Sequence, residues 1–231
     1  MAAYYIIAFL AMLALVFFGG KRHQWPSAKL FGFLTWIVSV LYFPIEVVAI
    51  AISPVPYDFM TQAMSDLGIL PCVSDTYLIG NPEICSPSSA LMNSTFIIQG
   101  VFIAAGAIIL HQYWSNGKKT RVAAWLWVIY GLGYAMSGLY PYDVNFWLHT
   151  IPAIPSMFLQ IPAMWITARA IRERMPKLSR LTYIFMIISV IALAALVIGL
   201  PAGLMQRILY ASVWIWMCIA SITLWQRNPI K

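Results

Sequence analysis

The sequence predicts an all-α membrane protein. Seven transmembrane helices are expected, with the N-terminus outside, the C-terminus cytoplasmic, and an amphipathic lid helix on the outer side. Three observations carry this. First, 62% of the 231 residues are hydrophobic and 9% charged, whereas a soluble domain carries about 25% charged residues, so most of this surface must meet lipid. Second, seven apolar runs are long enough, or nearly so, to cross a hydrocarbon core of about 30 Å; they lie near 4–18, 30–52, 91–113, 122–140, 146–168, 181–200 and 208–225. Third, the cations alternate sides. Lys21, Arg22 and Lys29 follow run one; Lys118, Lys119 and Arg121 follow run three; Arg169, Arg172, Arg174, Lys177 and Arg180 follow run five; Arg227 and Lys231 follow run seven. These are 13 of the 14 Lys and Arg residues, with Arg207 alone on the other side. Cationic loops mark the cytoplasmic side.

The net charge of +7 is therefore a topology signal, and a nucleic-acid partner is not expected. The expected partner is the lipid bilayer. Residues 1–231 form one transmembrane domain, and 53–92 form an extracytoplasmic lid and disulfide loop within it. The protein is a multi-pass integral one, of the plasma membrane in a prokaryote or of an endomembrane in a eukaryote. The oligomeric state has no signature in the sequence.

Run one lacks cations before it and has Lys21 and Arg22 after it, the order of an uncleaved helix, not a signal peptide. Run two aligns Thr35, Ser39, Tyr42, Glu46 and Ser53 within about 80° at helical periodicity. Glu46 is expected roughly 10 Å below the outer end, where an ionisable group needs a partner or a wet cavity. Pro44 is expected to kink the helix.

Between runs two and three the chain turns polar. Residues 53–93 hold four of the seven acidic residues (Asp58, Asp66, Asp75, Glu83), two of the three cysteines, and no Lys or Arg. Pro54 and Pro56 stop the helix. Over 57–67, Asp58, Thr61, Gln62, Ser65 and Asp66 share one helical arc, and Phe59, Met60, Ala63, Met64 and Leu67 share the other; Gly68 is a natural stop. This pattern predicts the amphipathic lid. Cys72 and Cys85 share the outer loop, and a disulfide between them would close about 14 residues.

Run three places Asn93 at its outer end. Run four presents Gly131, Gly133, Ser137 and Gly138 as a small-residue face, with Tyr130 and Tyr134 adding hydroxyls. Asp143 is expected to cap run five. Run five aligns Asn145, His149, Pro152, Ser156 and Gln160. Run seven aligns Gln206, Tyr210, Trp214 and Ser221, with Arg207 slightly off that line and Asp66 or Asp143 as its expected partner. Cys218 is expected to be buried and inert.

Glu46, Asp66, Asn93, Asp143, His149 and Arg207 are thus expected at one depth near the outer surface. Glu46, Asp66, Asp143 and His149 are the candidate acid–base groups. Asn93, Tyr134, Ser156, Gln160, Arg207 and Tyr210 are the candidate contacts for a lipid or isoprenoid-like amphiphile. No cofactor is expected. No metal is expected either, since His149 is the only histidine on the outer side. Three readings fit: acid–base chemistry on an amphiphile, a small transporter, or a scaffold or receptor-like protein held by pairs such as Asp143–Arg207 and Glu46–His149. The residues do not decide whether the protein is an enzyme.

Four segments carry a resemblance: Met64-Ser65-Asp66-Leu67-Gly68; Cys85-Ser86-Pro87 with Leu91-Met92-Asn93; Gly138-Leu139-Tyr140-Pro141-Tyr142-Asp143 with His149; and Gly203-Leu204-Met205-Gln206-Arg207. In order and spacing they resemble the small multi-pass membrane protein family catalogued as domain of unknown function nine-nine-eight. The resemblance spans roughly residues 30–225. It implies the helical fold and an outer cluster of Asp66, Asn93, Asp143, His149 and Arg207, and it implies no activity. Membrane-integral terpene cyclases are similar in class, as small helical bundles that use buried carboxylates, and this makes cyclisation a further reading by analogy.

Overall fold

The computed structural model describes residues 5–6, 9–10, 12–13, 26–69, 84–114 and 117–226. Its elements are α1 (Pro26–Ile37), a 3₁₀ turn (Val38–Leu41), α2 (Tyr42–Ala51), a second 3₁₀ helix (Met64–Gly68), α3 (Ser89–Leu110), α4 (Lys118–Leu139), α5 (Phe146–Ile171), α6 (Pro176–Val197) and α7 (Ala202–Trp225), with a short 3₁₀ turn after α3. Among the described residues six helices are long and apolar enough to cross a membrane, the first being α1 and α2 together. The protein is a multi-pass integral membrane protein. The seventh expected span, 4–18, lies mostly outside the described residues. The described part is helical, and Phe9 and Met12 pack on Val101, Ala105 and Ala135.

Consecutive spans pack side by side, and α7 closes against α1, so the six form a ring. Two features let them close. Gly100 of α3 and Gly131 of α4 face each other so tightly that a Cβ on either would collide with the other's carbonyl oxygen, the close approach that small residues allow. The centre is aromatic. Trp127 and Trp216 stack at 5.1 Å with Trp36 beside both, and Tyr210 stacks on Trp214 at 5.6 Å next to Tyr42 and Tyr134. Large apolar side chains such as Val47, Trp147 and Ile198 point outward at 66–75% exposure, the surface that lipid covers.

The first span breaks where the sequence says it should. Pro44 lacks an amide hydrogen and its ring crowds the carbonyl one turn earlier, and the chain tightens into the 3₁₀ turn there. Gln99 donates to the Ser39 carbonyl at 3.2 Å, and the Ser39 hydroxyl reaches the Trp36 and Trp214 carbonyls at 2.6 and 3.3 Å. Thr35, Ser39, Tyr42 and Glu46 are all buried on the inward face.

The amphipathic helix expected over 57–67 does not form. The Asp58 carboxylate accepts from the Met60 amide and the Thr61 hydroxyl, and the Asp58 carbonyl closes a turn at Gln62. Ala63 is extended, and Met64–Gly68 is 3₁₀. The physical cause is competition for carbonyls. Those of Phe59 and Gln62 accept from the Arg207 guanidinium, and that of Met60 accepts from the Leu204 amide at 2.9 Å, so none is free to continue an α-helix. The two arcs do not hold either: Asp66 is 1% exposed and Phe59 43%.

Candidate functional site

The polar segment between α2 and α3 is a docked plug, and five residues dock it. Glycine at 203 leaves room: a Cβ there would collide with the Gln62 carbonyl. One turn on, the Gln206 Oε1 accepts from the Met64 amide at 2.8 Å. The Asp66 carboxylate accepts from the Ala63 amide at 3.1 Å and so caps its own 3₁₀ helix. The Asn93 amide donates to the Gly68 carbonyl at 2.7 Å, and the Ser86 hydroxyl donates to the Leu67 carbonyl.

Arg207 is the centre of this docking. Its Nε donates to Glu46 Oε1 at 3.0 Å and its Nη2 pairs with the same oxygen at 2.9 Å. Nη1 donates to the carbonyls of Phe59 and Gln62, and Nη2 to the Tyr57 hydroxyl at 2.7 Å. The guanidinium thus makes four hydrogen bonds and one further ion-pair contact, and Phe59 lies 4.2 Å from the guanidinium carbon, over its face. Glu46 sits five residues from the end of α2 and Arg207 five from the start of α7, about 8 Å deep in each case. Glu46 Oε1 also accepts from the Tyr42 hydroxyl at 3.0 Å. The pairs expected for these groups, Asp143–Arg207 and Glu46–His149, are therefore replaced by Glu46–Arg207. Tyr42 and Tyr57, which complete the clamp, were not among the expected site residues. Tyr42 lay one helical turn before Glu46, a readable signal; Tyr57, in a loop, had none.

Asp143 is not the cap of α5. That position belongs to Asn145, whose side chain accepts from the Leu148 amide at 2.9 Å. Asp143 lies two residues earlier in the turn after Pro141 and is exposed, near enough for its charge to act on His149. Burial raises the Asp66 carboxyl to about 7, against the pull of the Ala63 amide and of Arg207. Burial also holds the Tyr57 phenol above its usual range.

Two cavities flank the plug. The first, about 210 Å³, is lined by Tyr42, Phe43, Glu46, Phe59, Met64, Leu204, Arg207 and Trp214 among others, and is apolar except for the ion pair. The second, about 40 Å³, is lined by Met64, Ser65, Phe96, Tyr134, Ser137, His149, Gln206 and Tyr210 among others. Met64 lines both, so one methionine side chain lies between Glu46 and His149, and residues 206 and 207 reach one into each. Asp66, Asn93 and Asp143 line neither. Glu46, Asp66, Asn93, Asp143, His149 and Arg207 do not form one cluster.

The smaller cavity has open chemistry. His149 Nδ1 lies 3.1 Å from the Ser137 carbonyl and 2.9 Å from that of Tyr140. Two carbonyls accept only from a protonated nitrogen, so the neutral ring carries its hydrogen on Nδ1 and presents Nε2 as an acceptor. The Tyr134 hydroxyl is buried with no partner. The buried Tyr130 hydroxyl lies beside the Trp214 indole, and Gln160 Oε1 is buried without a partner. Ser156 donates to the Ala153 carbonyl beside Tyr210, and Gln160 Nε2 to that of Met157. Among the described residues no three His, Cys, Asp or Glu side chains gather to hold a metal.

Cys218 is the free cysteine among the described residues and is half-buried, not fully buried as expected. Cys85 is buried; Cys72 lies outside the described residues.

No curated protein and no solved structure matches the chain. The family described as "Protein of unknown function (DUF998)" matches over residues 36–223, a span that contains the plug, the clamp and both cavities. The chain belongs to this family.

Proposed function

We propose that the protein binds a lipid or isoprenoid-like amphiphile in the outer half of its bundle, with the polar head against His149 and Tyr134. The observation that carries this reading is the small cavity lined both by His149, whose Nε2 is left as an acceptor, and by Tyr134, whose buried hydroxyl has no partner. Buried polar groups without partners cost about 1–3 kcal/mol each, and a ligand head that bonds them removes that cost. The head is small, because the cavity holds little more than a water or a hydroxyl-sized group. Acid–base chemistry on the bound molecule would use His149 Nε2 as base. Glu46 Oε1 is taken up by the Tyr42 hydroxyl and the Arg207 guanidinium, so it serves the clamp and not a bound molecule.

The test is to purify the protein from its native membrane and identify co-purifying small molecules by mass spectrometry. An amphiphile retained by the wild type and lost from His149→Ala and Tyr134→Phe is expected; none retained by the wild type would end this reading. Lipid profiles of cells lacking the gene then separate binding from catalysis, because an accumulating precursor should appear equally with His149→Ala.

A second reading, a scaffold without ligand, is favoured by one observation: every recorded hydrogen bond of Arg207 goes to its own chain. It predicts that nothing co-purifies.

Two topological proposals accompany these readings. We place the plug outside the cell or in the lumen and count a seventh span at 4–18, on the strength of the basic loops. A membrane-impermeant thiol reagent should label Asn145→Cys and not Arg172→Cys. We also pair Cys72 with Cys85, which share the outer loop; labelling of both thiols without reductant would refute the pair.

A further inference from the structure

At the opposite end of the bundle, a cleft of about 320 Å³ lies between the first turn of α4 and the last turns of α5. It is lined by Lys118, Lys119, Val122, Trp165, Ile166 and Arg169. Among the described residues, none of its three cations has a carboxylate within ion-pairing distance. Arg169 lies over the Trp165 ring at 4.9 Å, which fixes the guanidinium in place and leaves its edge open to an oxygen acceptor. Trp165 and Val122 are 44% and 48% exposed.

The cleft has two chemically different ends. The cations sit at the termini of helices whose 22 and 26 residues are just long enough to span a bilayer, which puts them at the level of the lipid phosphates. From there the exposed apolar stripe runs inward along both helices, through Val122 and Trp125 on α4 and Trp165 and Phe158 on α5. A soluble anion would use only the first end. A phospholipid uses both, with its phosphate among the cations and its acyl chains along the stripes.

We propose that this cleft is a binding site for the headgroup of an anionic phospholipid. It is separate from the outer cavities and independent of what they bind.

The experiment uses the purified full chain in detergent and measures retention of defined lipids by native mass spectrometry. Phosphatidylglycerol, phosphatidylcholine and inorganic phosphate are the probes. The wild type should retain phosphatidylglycerol over phosphatidylcholine. The variant Lys118→Gln/Lys119→Gln/Arg169→Gln should lose this preference. At about 1 kcal/mol per surface cation, the loss is roughly a hundredfold in affinity. Arg172→Gln/Arg174→Gln/Lys177→Gln removes the same charge from the adjacent turn and the start of α6 and should leave retention unchanged. The exchanged side chains are exposed, so both variants should fold, which equal elution volumes check. Equal retention of the two lipids by the wild type overturns the proposal. So does equal loss in both variants, which would mean diffuse attraction, and so does full displacement by equimolar phosphate, which would mean a free-anion site.

Discussion

The two cavities beside Met64 both hold buried polar groups and treat them in opposite ways. Around Glu46 and Arg207 the donors have acceptors: the guanidinium makes four hydrogen bonds, to a carboxylate oxygen, two carbonyls and a phenol, and a further ion-pair contact with the same carboxylate. Around His149 and Tyr134 the donors and acceptors are left over. The lesson is that charge alone does not mark a reactive site in a membrane bundle. The charged pair here holds a loop, and the uncharged cavity has the free valence.

The sharpest way to break this contrast is Arg207→Met. It strips Glu46 of its counter-charge in an apolar cavity and removes donors from two loop carbonyls, so a loss of about 3–5 kcal/mol is expected, read as a fall in unfolding temperature in detergent. Adding Glu46→Leu should recover only part of it, because the Phe59 and Gln62 carbonyls still lack a donor. Full recovery would show that the plug does not depend on the clamp.

Asp66 offers a pH-dependent test. Its carboxyl is raised from 3.8 to about 7, so between those values the folded protein binds the proton that the unfolded chain has released. Stability is then greatest below pH 4 as far as this group is concerned, and falls as pH rises to 7, by at most about 1.4 kcal/mol per unit. Asp66→Asn should flatten that slope while keeping an acceptor for the Ala63 amide. An unchanged slope would mean that Asp66 is solvated.

The smallest effect has the opposite sign. Tyr134→Phe removes a buried hydroxyl without a partner, so the empty protein should gain about 1 kcal/mol, while losing any amphiphile held there. A loss of stability would show that the hydroxyl is bonded after all.

Much of this architecture was readable from residue patterns. The stripe Thr35, Ser39, Tyr42, Glu46 is the buried face of its helix because a period of 3.6 survives a local 3₁₀ break. Gly131, Gly133 and Gly138 announced close packing, and each meets backbone from a neighbouring helix. What could not be read were partnerships across long separations. Glu46 and Arg207 are 161 positions apart, and nothing local distinguishes Arg207 reaching Glu46 from Arg207 reaching Asp143. The plug was misread for the same reason. Its 57–67 pattern is helical by itself, but its carbonyls are claimed by a helix that the local pattern does not contain.

That separation also has a meaning in time. A chain made from its N-terminus produces Glu46, Tyr57 and the carbonyls of 59 and 62 long before α7 exists. Until Arg207 arrives, a carboxylate and two carbonyls stand unmatched near the membrane surface. The loop that the first two described spans enclose is therefore satisfied only when the last helix of the bundle is in place.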